Sequence, residues 1–310
     1  MTDGTPHFLV RFWGVRGSYP TPGPQTVRYG GNTSCVEVEV GTHTIILDAG
    51  SGIIRLGNVL IQRKKDEHLD ISLFITHGHG DHLVGFPFFS PLFEKRASIN
   101  ILGPRLAGRS IEELVTPLMS QPYFPVDIRK LPSHRTFHTL NGQEHILWRK
   151  GESEPTVTYE TPLPQENAEY DTHVMLKLTR SHPLDGAAVY RIEYAGRRLV
   201  YATDVEWKEH CEPAFLAFVE KADVLIHDAQ YTHDDYHQSK RGFGHSTIEM
   251  ATEVARTAQV GTLILFHHEP TYDDDKLDVM LAEAQTQFAH TYSAYEGLEI
   301  DLLMDVPTRG

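Results

Sequence analysis

Cysteine is nearly absent from this chain, and its scarcity excludes several kinds of protein. Only Cys35 and Cys211 occur among 310 residues. Two cysteines are too few for a disulfide framework or for a cysteine-based zinc knuckle. We interpret both as small buried hydrophobic residues. The chain is therefore not expected to be a disulfide-stabilised scaffold.

Long apolar runs are also missing. No run in the sequence approaches the roughly 18 to 20 residues that a membrane span requires. The N-terminal residues Met1 to Pro6 lack the basic and apolar regions of a signal peptide. We therefore expect a cytoplasmic protein that does not bind a membrane.

Positive charge is in short supply, since the formal net charge is -14. A protein that holds long nucleic acid needs a cationic surface to replace the counterions of the phosphates. The short basic run Arg63 to Lys65 reads as a solvated turn. The balance favours a small substrate over long nucleic acid, although an acidic protein can still carry a local basic pocket.

Histidine, by contrast, is abundant. The chain has 19 histidines, several times what packing alone would call for. A soluble chain that is rich in histidine and poor in cysteine indicates metal binding or acid–base chemistry.

Short β-type runs recur along the sequence and end at turn residues, which predicts strands. They are Phe8 to Trp13, Cys35 to Val40, Thr44 to Asp48, Ile71 to Thr76, Ser98 to Leu102, Val174 to Thr179, Ala188 to Tyr194, Arg198 to Thr203, Val224 to His227 and Thr262 to Phe266. Several are apolar throughout, as strands covered on both faces are.

Helices are predicted at three places. Ser246 to Glu249 reads as a capping box that opens a helix running to about Gln259. The aspartates at 273–275 begin a second, and the stretch 110–119 is a third. Strands come first in each half and helices follow, so we predict two sheets with helices outside. We expect one domain over residues 1–310, with a rim insertion around 150–172 that is either a substrate lid or a plain surface loop.

One short segment with closely spaced histidines and an aspartate is the strongest indication of function in the sequence. Thr76-His-Gly-His-Gly-Asp-His82 directly follows the apolar strand 71–75. Burying such polar groups beside an apolar strand costs free energy unless they have hydrogen-bond partners or bind a metal ion. Metal coordination is a common way to offset this cost. His77 and His79 can converge on one ion, while Asp81 and His82 are placed for a second. Two neighbouring ions are a recurring solution for hydrolysing esters and phosphodiesters.

Three further ligand types end strands downstream. His182 follows the strand 174–179, Asp204 follows 198–203, and His267 follows 262–266. Each one alone is a weak signal, because a lone polar residue after a strand is more often a cap. Together, after the first cluster and in this order, they predict a metal centre.

These residues resemble the five ligand motifs of the metallo-β-lactamase superfamily, over most of the chain from Gly14 to His267. The resemblance implies an α/β fold of the four-layer αβ/βα type, in which two mixed sheets are flanked by helices. It also implies that His77, His79 and His182 hold one ion, that Asp81, His82 and His267 hold the other, and that Asp204 bridges both. The implied cofactors are two divalent ions, Zn²⁺ or Mn²⁺, with iron as a further candidate.

Other motifs are similar to the ribonuclease Z and cyclic-nucleotide phosphodiesterase branch. Gly14-Val-Arg-Gly-Ser18 resembles its glycine turn, and Tyr29-Gly-Gly-Asn-Thr-Ser34 its Asn-x-Ser stretch. His227-Asp-Ala-Gln230 looks like a variant of its His-Glu-Ala-Thr motif, and Gly244-His-Ser-Thr247 matches the element that carries a catalytic histidine. The resemblance therefore implies that His245 is a proton donor oriented by Asp228, and that Asp81 is needed for catalysis. The alternative for His245 is a histidine at a helix start that bonds nearby backbone.

The predicted activity is metal-dependent hydrolysis of a small phosphodiester, for example a cyclic nucleotide. We see no basic arm of the kind that holds transfer RNA in ribonuclease Z. The alternatives are hydrolysis of an ester, thioester or lactone, ribonuclease Z activity itself, and a non-catalytic metal-binding protein. Relatives are often dimers, so a homodimer is an expectation.

Several assignments stay open at this point. His268 rivals His267 as ligand. Arg16 is assigned either to a substrate phosphate or to a structural salt bridge, and Asn32 either to the loop around the metals or to a turn. Asp48 is expected to orient a metal-binding histidine. For His227, His233 and His237, a role in the site and a purely structural role are both open alternatives.

Overall fold

The computed structural model describes residues 7–160, 170–183, 186–207, 210–304 and 306–308. The strands within these ranges are, in chain order, β1 (Phe8–Gly14), β2 (Cys35–Val40), β3 (His43–Leu47), β4 (Leu69–Phe74), β5 (Ala97–Pro104), β6 (His134–Leu140), β7 (His145–Arg149), β8 (Thr156–Thr158), β9 (Tyr170–Thr179), β10 (Ala187–Tyr194), β11 (Arg197–Ala202), β12 (Val224–Asp228), β13 (Thr262–Phe266), β14 (Thr291–Ser293), β15 (Glu299–Asp301) and β16 (Val306–Thr308).

The α-helices of the described residues are α1 (Gly52–Arg63), α2 (Gly80–Leu83), α3 (Ile111–Val115), α4 (Pro213–Val219), α5 (His233–Asp235), α6 (Ile248–Thr257) and α7 (Asp274–Gln287). Short 3₁₀ turns cover Phe86–Phe88, Ser90–Phe93, Thr116–Met119 and Ile128–Lys130, and a π-helical turn covers Tyr236–Lys240.

The strands form two eight-stranded sheets with the same plan. The first has the order β16-β15-β1-β2-β3-β4-β5-β6, and the second has the order β14-β13-β12-β11-β10-β9-β7-β8. In the first, β3 to β6 run parallel and the remaining pairs are antiparallel. In the second, β11 to β14 run parallel and the remaining pairs are antiparallel. Each sheet therefore has a block of parallel strands whose carboxyl ends lie at one edge.

Burial explains the layering. Strand β1 buries alternate residues, and its Phe8, Val10 and Phe12 join a core between the two sheets that includes Tyr201 and Phe266 of the second sheet. Burial of this apolar surface is the main stabilising term, at about 25 cal/mol per Å².

Two outer cores cover the other faces of the sheets. Helices α1 and α3 pack on the first sheet through residues such as Ile53 and Ile111, and α6 and α7 pack on the second through residues such as Val254 and Leu277. Helix, sheet, sheet and helix make four layers, as the resemblance implies.

The predicted strands are all present, with ends shifted by a few residues at most. Helix α1 was missed, although Ile53, Leu56 and Leu60 form a helical apolar stripe that is buried. Because α1 lies between β3 and β4, helices alternate with strands rather than following them. The parallel pairing of β3 with β4 requires such a crossover.

Helix caps test the local predictions. The box at Ser110 and Glu113 is present in full, and Asp273 caps α7 by accepting from the amide of Lys276. The box predicted at Ser246 was wrong by one residue. Thr247 is the cap and accepts from the Met250 amide, whereas the Ser246 hydroxyl donates to the Val205 carbonyl at 2.6 Å.

The predicted rim insertion is described only in part. Strand β8 and the start of β9 lie within 150–172, and residues 161–169, the middle of the predicted insertion, lie outside the described residues. Among the residues that the structure describes, no helix is both long and apolar enough to cross a membrane.

Candidate metal centre

The predicted ligands lie where strands of both sheets end. His77 to His82 follow β4 and enter the short helix α2. His182 follows β9 in the second sheet, Asp204 follows β11 and His267 follows β13. The two sheets are joined here, because the Ala188 amide donates to the Thr76 carbonyl at 2.9 Å. The structure thus brings all seven predicted ligands to one edge of the sandwich.

The first ligand group contains His77, His79, His182 and Asp204, with one donor atom from each within 4.8 Å of the others. Nε2 of His182 lies 3.0 Å from Nδ1 of His79. Nε2 of His77 lies 3.5 Å from Oδ2 of Asp204. This is the set that the resemblance assigns to one ion.

The second group contains Asp81, His82, Asp204 and His267. Nε2 of His82 lies 3.2 Å from Nε2 of His267 and 3.1 Å from Oδ1 of Asp204. Nε2 of His267 lies 3.1 Å from Oδ2 of Asp81. Asp204 therefore presents Oδ2 to the first group and Oδ1 to the second, which is the arrangement of a bridging carboxylate.

The outward ring nitrogens show that these residues fit metal ions. Nδ1 of His82 donates to Asp48 at 2.8 Å, Nδ1 of His182 to the Gly244 carbonyl at 2.9 Å, and Nδ1 of His267 to Oε1 of Gln230 at 3.0 Å. A proton held at Nδ1 directs Nε2 inward, where a metal ion can bind it in place of any second proton.

His77 supports the same conclusion. Its Nδ1 lies 3.1 Å from the Thr76 hydroxyl, while its Nε2 is buried and has no hydrogen-bond partner among the residues that the structure describes. A buried ring nitrogen without a partner is costly. A cation at the centre of the group would satisfy it.

The electrostatics of the cluster favour positive charge. Burial lowers the pKa of His82, but the carboxylates of Asp204, Asp81 and Asp48 outweigh burial and raise it well above its usual value. Burial raises the pKa of Asp204, yet His267, His82 and His77 lower it well below the ordinary range. Burial and the neighbouring His82 keep the pKa of His77 well below its usual value. Asp81 and Asp204 are therefore ionised, and the cluster attracts cations.

His245 lies beside this centre and forms a hydrogen bond with the carboxylate of Asp228. Its Nδ1 lies 2.8 Å from Oδ2 of Asp228, and its ring stacks on that of His267 with the centroids 4.9 Å apart. Burial lowers the pKa of His245, but Asp228 outweighs burial and raises the pKa to about 9. Asp228 is held in turn by the amides of Gln230 and Ser246, which donate to its Oδ1. The structure thus brings together His245 and Asp228, the two residues for which the roles of proton donor and orienting group are predicted.

The structure distinguishes the two histidines of the His267-His268 pair. His267 lies in the ligand cluster, whereas Nε2 of His268 lies 2.9 Å from the Ala294 carbonyl, away from the cluster. Burial, with Arg16 next to it, lowers the pKa of His268 to about 3. His268 is a buried structural residue.

Arg16 and Asn32 are structural as well. The Arg16 guanidinium is buried and donates to the carbonyls of Gly30, Glu269 and Tyr272. Asn32 bonds Glu296 and Ser51. Asp48 accepts from the Thr76 amide and the Tyr201 hydroxyl while holding His82, as predicted.

The other histidines in question lie outside the ligand cluster. His227 is buried against Trp207, whose indole N–H donates to its Nε2 at 3.1 Å. The rings of His233 and His237 contact each other in a tilted arrangement, with centroids 4.3 Å apart. Sequence reasoning missed Gln230, which was read only as part of a motif. Its one signal was its position two residues after Asp228.

The fold and the cluster together define a class, that of αβ/βα sandwich proteins with histidines and aspartates gathered at their strand ends. Residues 43–268, more than half of the chain, match the Beta-lactamase superfamily domain. The chain belongs to the metallo-β-lactamase superfamily of hydrolases, as its motifs predict.

Individual relatives agree with this assignment. A ribonuclease Z of Thermoplasma acidophilum is 28% identical over 316 residues, which cover 94% of this chain and 96% of the relative. The metallo-beta-lactamase fold protein YhfI from Bacillus subtilis has a TM-score of 0.65 at 19% identity, covering 96% of this chain and 100% of that one. The short form of human tRNase Z has a TM-score of 0.62 at 18% identity, covering 94% and 98%. The two solved structures show similarity of fold.

Proposed function

We propose that this protein hydrolyses phosphodiesters at a centre of two divalent ions, with His245 as the proton donor to the leaving oxygen. The observation that carries the proposal is the shared carboxylate of Asp204, which presents one oxygen to each ligand group while His245 stands beside both. The two ligand groups and the His245–Asp228 pair form one site, which suits a reaction with an attacking and a leaving oxygen.

The donor set fits divalent ions, with His77, His79 and His182 around one, Asp81, His82 and His267 around the other, and Asp204 between them. Ions held there would supply Lewis acidity, which ionises water near neutral pH and neutralises charge on phosphoryl oxygens. The protein's own residues do the rest. Asp48, Gly244 and Gln230 hold three of the ligand rings in one tautomer. The centre is thereby preorganised.

His245 is suited to the departure of the leaving group. Asp228 engages its Nδ1, so the proton to be transferred sits at Nε2. As the phosphorus–oxygen bond to the leaving group breaks, that proton passes to the leaving oxygen and forms an alcohol. Asp228 stabilises the cationic ring before the transfer and fixes its orientation.

Phosphodiester chemistry is favoured over esters, thioesters and lactones by the Gly244-His-Ser element and by the relative named ribonuclease Z. A small substrate is supported by the net charge of -14. RNA is the second candidate substrate, because the ribonuclease Z relative aligns over 94% of the chain. Assembly as a homodimer stays part of the proposal.

The test is an activity screen on protein loaded with Zn²⁺ or Mn²⁺. We expect cleavage of bis(p-nitrophenyl) phosphate and of a cyclic nucleotide, and no turnover of thioesters or lactones. A transfer RNA precursor in the same screen distinguishes the second candidate. The double variant Asp81→Ala/Asp204→Ala should lose at least about a thousandfold in kcat, because it removes ligands from both ions.

The matched control is Asp66→Ala, which removes an exposed carboxylate and should keep the wild-type rate. Activity that survives in the double variant would refute the proposed centre. Turnover of lactones or thioesters in place of phosphodiesters would refute the substrate class.

A further inference from the structure

A buried carboxylate stands behind the loop that carries His245. Glu206 is only 3% exposed and follows Asp204 by two residues. It accepts three hydrogen bonds, from the Tyr236 hydroxyl at 2.8 Å, the Gly242 amide at 2.6 Å and the Gly244 amide at 3.0 Å. A buried carboxylate is costly unless such donors surround it. Glu206 belongs to none of the sequence motifs described above.

The loop that Glu206 holds touches the metal centre. Gly244 has a φ of +94°, and a side chain there would place Cβ 2.3 Å from Nδ1 of His182. Its carbonyl accepts the hydrogen bond from that same nitrogen. The next residue is His245. The position of this loop therefore sets both the orientation of a ligand ring and the location of the proton donor.

A second contact joins the same two segments. The Ser246 hydroxyl donates to the Val205 carbonyl at 2.6 Å. The residues just after Asp204 thus hold the chain on both sides of His245, at Gly244 and at Ser246. The strand end that supplies the bridging carboxylate and the loop that supplies the proton donor are built as one unit.

We propose that Glu206 is a positioning residue, which fixes the 242–244 loop so that His245 faces the leaving oxygen. This inference rests on the proposed function of His245. A carboxylate is required because two backbone amides and a hydroxyl all donate to it. A glutamine would place an amide NH₂ against at least one of these donors, so Glu206→Gln releases the loop with almost no change of volume.

The experiment compares two phosphodiesters that differ in their need for a proton. Bis(p-nitrophenyl) phosphate releases a stable phenolate, whereas thymidylyl-thymidine releases an alkoxide that must be protonated. Glu206→Gln should lower kcat on thymidylyl-thymidine by about 10- to 100-fold, which is part of the roughly 10²- to 10⁴-fold that general acid catalysis contributes. The same variant should lose less than about threefold on the nitrophenyl ester. His245→Ala should show the same selective pattern.

Coupling and loop mobility provide independent measures. The double variant Glu206→Gln/His245→Ala should be no slower than His245→Ala, because Glu206 acts through that histidine. Trypsin should cut metal-free Glu206→Gln faster than wild type after Lys240 or Arg241, which lie beside the loop. Glu220→Gln, which changes an exposed carboxylate, is the control and should match wild type in both assays.

Equal losses on the two substrates, measured with both ion sites saturated, would overturn the inference. Unchanged trypsin cleavage would overturn it as well. If wild type cleaves no phosphodiester, the proposed function fails instead, and the trypsin comparison still decides whether Glu206 holds the loop.

Discussion

The metal-binding chemistry of the centre depends on the hydrogen-bond partner of the outer ring nitrogen of each ligand histidine. A neutral imidazole has one protonated nitrogen, and the partner of that nitrogen determines which one faces a metal ion. His82, His182 and His267 use a carboxylate, a backbone carbonyl and a side-chain amide for this purpose. Gln230 is the best of these partners to mutate, because Gly244 acts through its backbone carbonyl and Asp48 also accepts from Thr76 and Tyr201.

Replacing Gln230 by leucine should weaken metal binding. The glutamine fixes His267 through Oε1, and its Nε2 donates to Glu269 at 2.9 Å, so the amide cannot turn freely. Loss of such a partner typically costs 10- to 100-fold in metal affinity, and we expect about that change for one of the two ions. Calorimetric titration of metal-free protein with Zn²⁺ measures it.

Gln143→Leu, at an exposed glutamine, is the matched control and should bind both ions as wild type does. If Gln230→Leu binds both ions with unchanged affinity, the interpretation of Gln230 as the residue that orients His267 is wrong.

At the scale of elements, the strand ends adopt unusual backbone conformations. Asp48, Asp204 and His267 follow β3, β11 and β13 with φ of 64°, 54° and 62°. A residue other than glycine in this left-handed region costs about 1 to 3 kcal/mol when the surroundings impose it. The packed sheets behind these residues offset the cost. The left-handed conformation lets the chain that leaves a strand turn a side chain toward the centre.

A second element-scale feature lies on the strand pair β7 and β9, apart from the centre. Nδ1 of His145 lies 2.9 Å from Nε2 of His173. Burial and the neighbouring His145 lower the pKa of His173 to about 4. The pKa of His173 in the unfolded chain is about 6.5. Between pH 6.5 and pH 4 the unfolded chain therefore binds a proton at His173 that the folded chain does not bind. Stability from this residue is complete above pH 6.5 and is lost as the pH falls toward 4.

His173→Gln should therefore make the protein less sensitive to acid. Between pH 7 and pH 4.5 the variant should lose about 2 kcal/mol less unfolding free energy than wild type. Urea unfolding of the metal-free proteins at the two pH values measures the difference. His134→Gln, at an exposed histidine of β6, should behave as wild type. An identical acid response of His173→Gln and wild type would contradict the assignment.

For the whole molecule, the centre lies across the junction of the two sheets. His77 to His82 extend from the first sheet, whereas His182, Asp204 and His267 extend from the second. The buried carboxylates of Asp81 and Asp204 lie against imidazoles at this junction. Ions bound there would join the two halves of the sandwich.

Metal binding should accordingly stabilise the fold. At a free Zn²⁺ concentration of 100 to 1,000 times Kd, mass action adds about 3 to 4 kcal/mol to the unfolding free energy. A domain of this size should then melt several degrees higher than the same protein in a chelator. Differential scanning calorimetry with and without EDTA measures the shift. Asp204→Asn should show a much smaller shift, and equal melting temperatures for wild type in metal and in chelator would contradict a centre that joins the sheets.

Much of this could be predicted from the chain itself, because the signals are local. Apolar runs of four to eight residues predict strands, and ten such runs are strands in the structure. The cluster at 77–82 is contiguous, so its ligand character is visible before folding. The single residues His182, Asp204 and His267 were predicted because each comes within three residues of the end of a β-type run, where sites in such sheets collect.

Only the tertiary structure could decide between neighbours and reveal indirect partners. His267 and His268 are one residue apart, and the left-handed turn at His267 decides which ring faces the cluster. Gln230 and Glu206 act through hydrogen bonds to residues 37 and 38 positions away, a separation that no local pattern encodes. Composition, strand periodicity and contiguous ligands are properties of the chain, whereas ring orientation and long-range hydrogen bonds exist only once the two sheets have packed together.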